Sequence, residues 1–179
     1  MPLKIIRHAV LILAIFIFEL AIRPNLPGFL SEMNFTLAVL VFVGVAYKFY
    51  LSVAYGVIIG FAIDAVSGRP FGIITVGLAL TLLIVYLAFN RLFTNKSFYS
   101  LFALNVLATF FFNVWTFAWS GGATFLQTKD ATLIHSLSAD FGVGLLWRLL
   151  ANTVLVSVLY AFFYFRSRRF SAAFIDTSR

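Results

Sequence analysis

The chain has 179 residues, of which 63% are hydrophobic and 11% charged, with a formal net charge of +7 and no cysteine; its mean hydropathy is +1.04. A water-soluble domain carries about 25% charged residues, so this composition predicts an all-α membrane protein built as one polytopic domain. Disulfides, thiolate nucleophiles and Cys-ligated metals are excluded, and bases scattered at span ends fit membrane topology better than nucleic-acid binding.

At about 20 residues per span, six helices account for about two-thirds of the chain. Met1 to His8 is short and basic, with Lys4 and Arg7, and the apolar run 9–22 follows, interrupted by Glu19. A signal peptide shares the basic start and apolar core. The run reaches Arg23-Pro24 without a small-x-small cleavage site, however, so it reads as the first transmembrane helix. Residues 24–34 form a loop, with a turn at Pro27-Gly28.

The second and third helices are expected at about 35–47 and 51–66. A single helix from Phe35 to Ile63 would be about 44 Å long, which exceeds a hydrocarbon core of about 30 Å, so a tight link near Lys48 to Ser52 is preferred. The fourth helix is expected at 71–89, the fifth at 98–119 and the sixth at 141–165. Residues 120–140 read as the longest loop, within which Leu133, Ile134 and Leu137 are spaced for a short interfacial helix. That loop is the first candidate for contact with an outside partner.

The densest motif lies between the third and fourth helices. Gly56, Gly60 and Asp64 fall at i, i+4 and i+8 and share one helical face. Two small residues at that spacing let another helix approach closely, whether a neighbour in the chain or a partner's single span. Gly68 and Pro70 mark a tight turn, Pro70 suits the start of the next helix, and Gly72 continues the small-residue seam. The run Gly-x3-Gly-x3-Asp-x-x-Ser-Gly-x-Pro-x-Gly, from Gly56 to Gly72, resembles the core motif of the MreD family, the integral-membrane rod-shape-determining proteins of bacterial cell elongation. The resemblance implies a non-enzymatic scaffold in the bacterial cytoplasmic membrane. It implies pairing with the bitopic coiled-coil protein MreC and, through it, linkage to MreB filaments and the elongation synthases of the peptidoglycan wall.

Lys and Arg set the expected topology. With the N-terminus inside, nine lie on the inner side (Lys4, Arg7, Lys48, Arg91, Lys96, Arg166, Arg168, Arg169, Arg179) and three outside (Arg23, Arg69, Lys129), with Arg148 inside a span. Both termini are then cytoplasmic. Glu19, Asp64 and Arg148 all fall in the outer half of the bilayer. An unpaired charge in a span costs at least about 2.5–3.5 kcal/mol on insertion scales, so Arg148 is expected to pair with Asp64 or Glu19. The competing reading leaves both carboxylates wet at the interface and lets Arg148 snorkel outward.

Asn105, Asn113, Thr116 and Asn152 suit interhelical hydrogen bonding, with a ligand pocket as the alternative. Trp115, Trp119 and Trp147 suit an outer aromatic belt. Catalytic constellations are sparse. His8 and His135 are too far apart in topology to share a metal, no Ser, His and Asp converge, and Gly-Arg-Pro-Phe-Gly lacks the ending of a phosphate loop. Asp64 with Arg69 could handle a lipid phosphate at the outer face, although a charge-stabilised turn accounts for them better. No cofactor or metal is expected, and lipid is the expected surrounding.

A second function remains open. Six short helices with both termini inside also resemble the substrate-binding component of energy-coupling-factor vitamin transporters. Those components carry an Ala-x3-Ala motif in an early helix, whereas Ala14 and Ala21 here stand seven apart.

Overall fold

The computed structural model describes residues 2–68, 70–93, 97–128 and 131–166, with side chains described for 6, 8–28, 30–68, 70–93, 97–119 and 141–165. Among these, six α-helices form the molecule: α1 (Pro2–Ile17), α2 (Phe35–Ala46), α3 (Phe49–Val66), α4 (Ile73–Leu92), α5 (Phe98–Thr128) and α6 (Ala131–Arg166). The end of α1 runs on through a π-helical turn at Phe18–Ile22. Two short 3-10 turns, Arg23–Asn25 and Gly28–Glu32, then lead towards α2. Five helices are long and apolar enough to cross a membrane, and α2 is the short exception.

α2 is the hub of the bundle. Its sequence FTLAVLVFVGVA is apolar all round, the signature of a helix buried on every side. Leu37, Ala38, Leu40, Val41 and Val45 are fully buried, and α2 touches each of the other five helices. Its 12 residues span only about 18 Å. The chain breaks at Tyr47 and Lys48, where Lys48 adopts an extended conformation (φ −147°, ψ 127°) and starts α3. Gly44 makes this reversal possible, because a Cβ there would lie 3.0 Å from the Phe49 ring. The Ser52 hydroxyl donates to the Leu40 carbonyl at 2.6 Å and ties the two helices together.

Ring contacts fix the directions of the remaining helices. Phe49 at the start of α3 meets Tyr86 and Phe89 near the end of α4, and Phe98 at the start of α5 meets Tyr160 near the end of α6. Phe18 meets Phe35, joining the end of α1 to the start of α2. The helices therefore alternate, and the start of α1, the α2–α3 break, the end of α4 and the end of α6 share one side of the molecule, the near side.

The longest expected loop is largely helix. α5 continues past Trp119 to Thr128, and α6 begins at Ala131 rather than near Phe141. At 31 and 36 residues they are about 46 and 54 Å long. Both exceed the hydrocarbon core, so on the far side they extend beyond it. The interfacial pattern at Leu133, Ile134 and Leu137 falls on side chains outside those described.

Candidate functional site: the buried polar seam

Asp64 lies in the last turn of α3 and is 3% exposed. Its Oδ2 accepts from the Gly72 amide at 3.1 Å, the Thr75 amide at 2.9 Å and the Thr75 hydroxyl at 2.6 Å, and its Oδ1 accepts from the Ile74 amide at 3.0 Å. The first amides of a helix have no partner within it, and the positive end of the helix dipole favours an anion there. Asp64 is thus the cap of α4, supplied by the preceding helix. The turn that brings α4 back beneath it requires left-handed backbone at Gly68 (φ 65°) and Gly72 (φ 96°), a conformation costly for any residue with a Cβ. Pro70 is exposed in the turn, just ahead of α4. Arg69 lies outside the described residues, and with it the lipid-phosphate reading of Asp64 and Arg69.

Gly56 and Gly60 face α4. A Cβ at Gly60 would lie 2.7 Å from the Thr75 Cα, and one at Gly56 would lie 2.7 Å from Leu82 Cδ1. This face is occupied within the chain by α4. Trp115 extends the same seam into α5. Its indole N–H donates to the Ile73 carbonyl at 2.9 Å, and its ring fills the space where Gly77 has no side chain, 2.6 Å from an added Cβ. Trp115 is therefore a clamp between α4 and α5 and not a member of an outer belt. Trp119 and Trp147 are each 49% exposed.

The expected pairing of Arg148 with Asp64 or Glu19 is not what forms. Arg148 Nε donates to Glu32 Oε2 at 2.9 Å, and its Nη1 donates to Asn113 Oδ1 at 2.9 Å. The reason lies in the segment between α1 and α2. Asn34, the N-cap of α2, donates its amide to Asn152 Oδ1 at 2.7 Å, and Asn152 Nδ2 donates to the Thr109 hydroxyl at 3.0 Å. Asn152 and Thr109 lie near the middle of the apolar stretches Phe141–Phe165 and Phe98–Trp119. The segment 23–34 therefore dips into the bundle to mid-depth and carries Glu32 down beside Arg148.

Glu19 is also committed elsewhere. It pairs with Arg23, and its Oε2 accepts from the Thr36 amide at 3.0 Å and the Thr36 hydroxyl at 3.1 Å. The start of α2 is thus capped twice, by Glu19 and by the Asn34 side chain, which accepts from the Leu37 amide at 2.9 Å. Asn113 returns its own amide to the Thr109 carbonyl at 2.7 Å. The groups a transporter would need for a ligand are largely occupied by one another. Asn105 Oδ1 is the buried side-chain oxygen or nitrogen left without a partner among the described residues. His8 hydrogen-bonds the Tyr55 hydroxyl, and His135 falls outside the described side chains. Among the described residues no three His, Asp or Glu cluster as metal ligands.

Taken together, these features define a polytopic helical membrane protein whose polar residues join its own helices. The sequence profile of the family described as rod shape-determining protein MreD matches residues 4–166, and the chain belongs to that family. No curated protein and no solved structure matches it.

Proposed function

We propose that this chain works as a non-enzymatic scaffold of the elongation machinery in the bacterial cytoplasmic membrane. Both of its termini lie in the cytoplasm. It forms a complex with an MreC-like bitopic protein and through it reaches MreB filaments and the synthases of the peptidoglycan wall. The observation that carries this reading is the family match over residues 4–166. The polar chemistry supports it, because Asp64, Glu19 and Arg148 are consumed in capping and bracing helices. A carboxylate that accepts four hydrogen bonds, three of them from a helix N-terminus, is poorly placed to act as a general acid or base.

The partner's surface must lie away from Gly56 and Gly60. The far-side extensions of α5 and α6, residues 120–128 and 131–140, suit contact with an outside partner because they rise beyond the apolar stretches. Crosslinking the tagged protein in native membranes and purifying it in mild detergent tests the proposal. Recovery of a single-span coiled-coil protein with wall synthases is the expected result. Recovery of a membrane coupling subunit with a pair of ATPases would overturn it in favour of the transporter.

A further inference from the structure

α1 touches the bundle along a narrow line. Ile15 and Glu19 are buried, while Val10, Leu13 and Ile17 are exposed to about half their area or more. Beside that line an open groove of about 510 Å³ runs between α1, α2, α3 and α6. Its walls include Leu11, Ala14 and Phe18 of α1, Val39 and Val43 of α2, and Phe163 of α6. Its polar side chains, His8, Tyr47 and Tyr55, gather towards the near side, where the imidazole and the Tyr55 hydroxyl are hydrogen-bonded. The exposed Lys48 follows Tyr47 at that end, its ammonium 5.7 Å from the centre of the Tyr50 ring.

Size decides what fits. From His8 to Phe18 the groove follows α1 for about 15 Å, the depth of one leaflet of a hydrocarbon core of about 30 Å. A partner's transmembrane helix crosses the whole core of about 30 Å, about twice the length of this groove. An acyl chain reaches to the depth of one leaflet, and the groove matches it in length and in walls that are apolar except for His8, Tyr47 and Tyr55. Charge selects the head of the molecule. Lys48 is exposed at the near-side end, next to Tyr47 of the groove wall. Phosphate groups of anionic lipids are attracted to such basic edges.

We propose that the groove holds one acyl chain of an anionic diacyl phospholipid from the near-side leaflet, with its phosphate against Lys48. The lipid fills the gap that α1 leaves and completes the packing of α1 on α2. Such a site binds a membrane component at fixed stoichiometry, unlike the lipid that coats the outward faces.

Native mass spectrometry of the full chain, purified in mild detergent, tests this with phosphatidylglycerol and phosphatidylcholine of identical acyl chains. The unmodified protein should retain one phosphatidylglycerol and at least tenfold less phosphatidylcholine. Ala14→Trp fills the groove from an exposed position and should lower phosphatidylglycerol retention at least tenfold. Val57→Trp, on an exposed part of α3 outside the groove, should leave it unchanged. Lys48→Glu should abolish the preference between the two lipids. Equal retention by the Ala14→Trp and unmodified proteins would overturn the proposal, and so would a polyprenyl phosphate as the molecule carried from native membranes. A second measurement needs no variant. Phosphatidylglycerol with a photoactivatable acyl chain should crosslink to the groove-lining parts of α1 and α2, in competition with unlabelled lipid. Labelling spread evenly over all lipid-facing helices would refute it.

Discussion

At the scale of single residues, Asp64 shows how one carboxylate can be affordable inside a membrane. Its charge is offset by four donors, three of them backbone amides at the start of α4, so neither the anion nor those amides are left unsatisfied. Asp64→Ala removes the acceptor and strands the amides of Gly72, Ile74 and Thr75 together with the Thr75 hydroxyl. Each buried unsatisfied group costs about 1–3 kcal/mol, so the substitution should lower stability by at least about 3 kcal/mol. Asp64→Asn keeps one acceptor oxygen and should cost roughly half as much, since hydrogen bonds to a charged group are stronger than those to a neutral one. Denaturant unfolding in detergent micelles measures both. If Asp64→Ala unfolds at the same midpoint as the parent chain, the capping role is wrong. Arg148 and Glu32 differ, because each side chain is about two-fifths exposed. The importance of the pair lies in fixing where the dipping segment sits, since it joins α6 to the stretch before α2.

Among the elements, the hairpin of α3 and α4 and the half-length α2 set the architecture. The α3–α4 contact leaves no room at Gly60, where an added Cβ meets backbone, which cannot move aside as a flexible side chain can. Gly60→Ala should therefore cost about 1–3 kcal/mol through overpacking. Gly60→Leu should prevent the folded protein from accumulating in the membrane at all. Membrane-fraction yield and thermal unfolding in detergent check these outcomes, and a Gly60→Leu protein that folds normally but loses its partner would restore this face as a docking surface. The six helices and the close approach at Gly56 and Gly60 were legible in the sequence, because apolar length and small-residue spacing are local properties. The partner of Arg148 was not. Glu32 sits 116 positions away in a stretch that reads as an ordinary polar loop, and only its descent to Asn152 brings the carboxylate into reach. Nor did Trp115 announce its inward role. An aromatic residue near a span end suits a belt equally well, and the cleft that receives it exists only because Gly77 lies opposite on another helix. The helical continuation through residues 120–128 and 131–140 was hidden for a related reason, since its glycines and polar residues carry the composition of a loop.

For the whole molecule, alternation of the helices makes a statement about sidedness that the membrane must obey. α1 reaches the far side and α2 returns from mid-depth. Each later helix reverses the one before, so the near side holds both the start of α1 and the end of α6. Under the proposed function that side is the cytoplasmic one, in keeping with nine Lys and Arg against three. The chain contains no cysteine, so single cysteines can be introduced without removing native ones. A membrane-impermeant maleimide added to intact cells or spheroplasts should label Asn25→Cys and Ser67→Cys, which lie at far-side turns. It should leave Tyr47→Cys and Leu92→Cys unlabelled until the membrane is opened, because both sit at near-side helix ends. Reversal of all four would invert the protein in the membrane and place Lys48 and the foot of the lipid groove on the outer face. A mixed pattern, with Asn25→Cys and Ser67→Cys on opposite sides, would contradict the alternation itself. It would require α2 to cross without its partner α3, and that conflicts with the Gly44 contact and the Ser52–Leu40 hydrogen bond joining them.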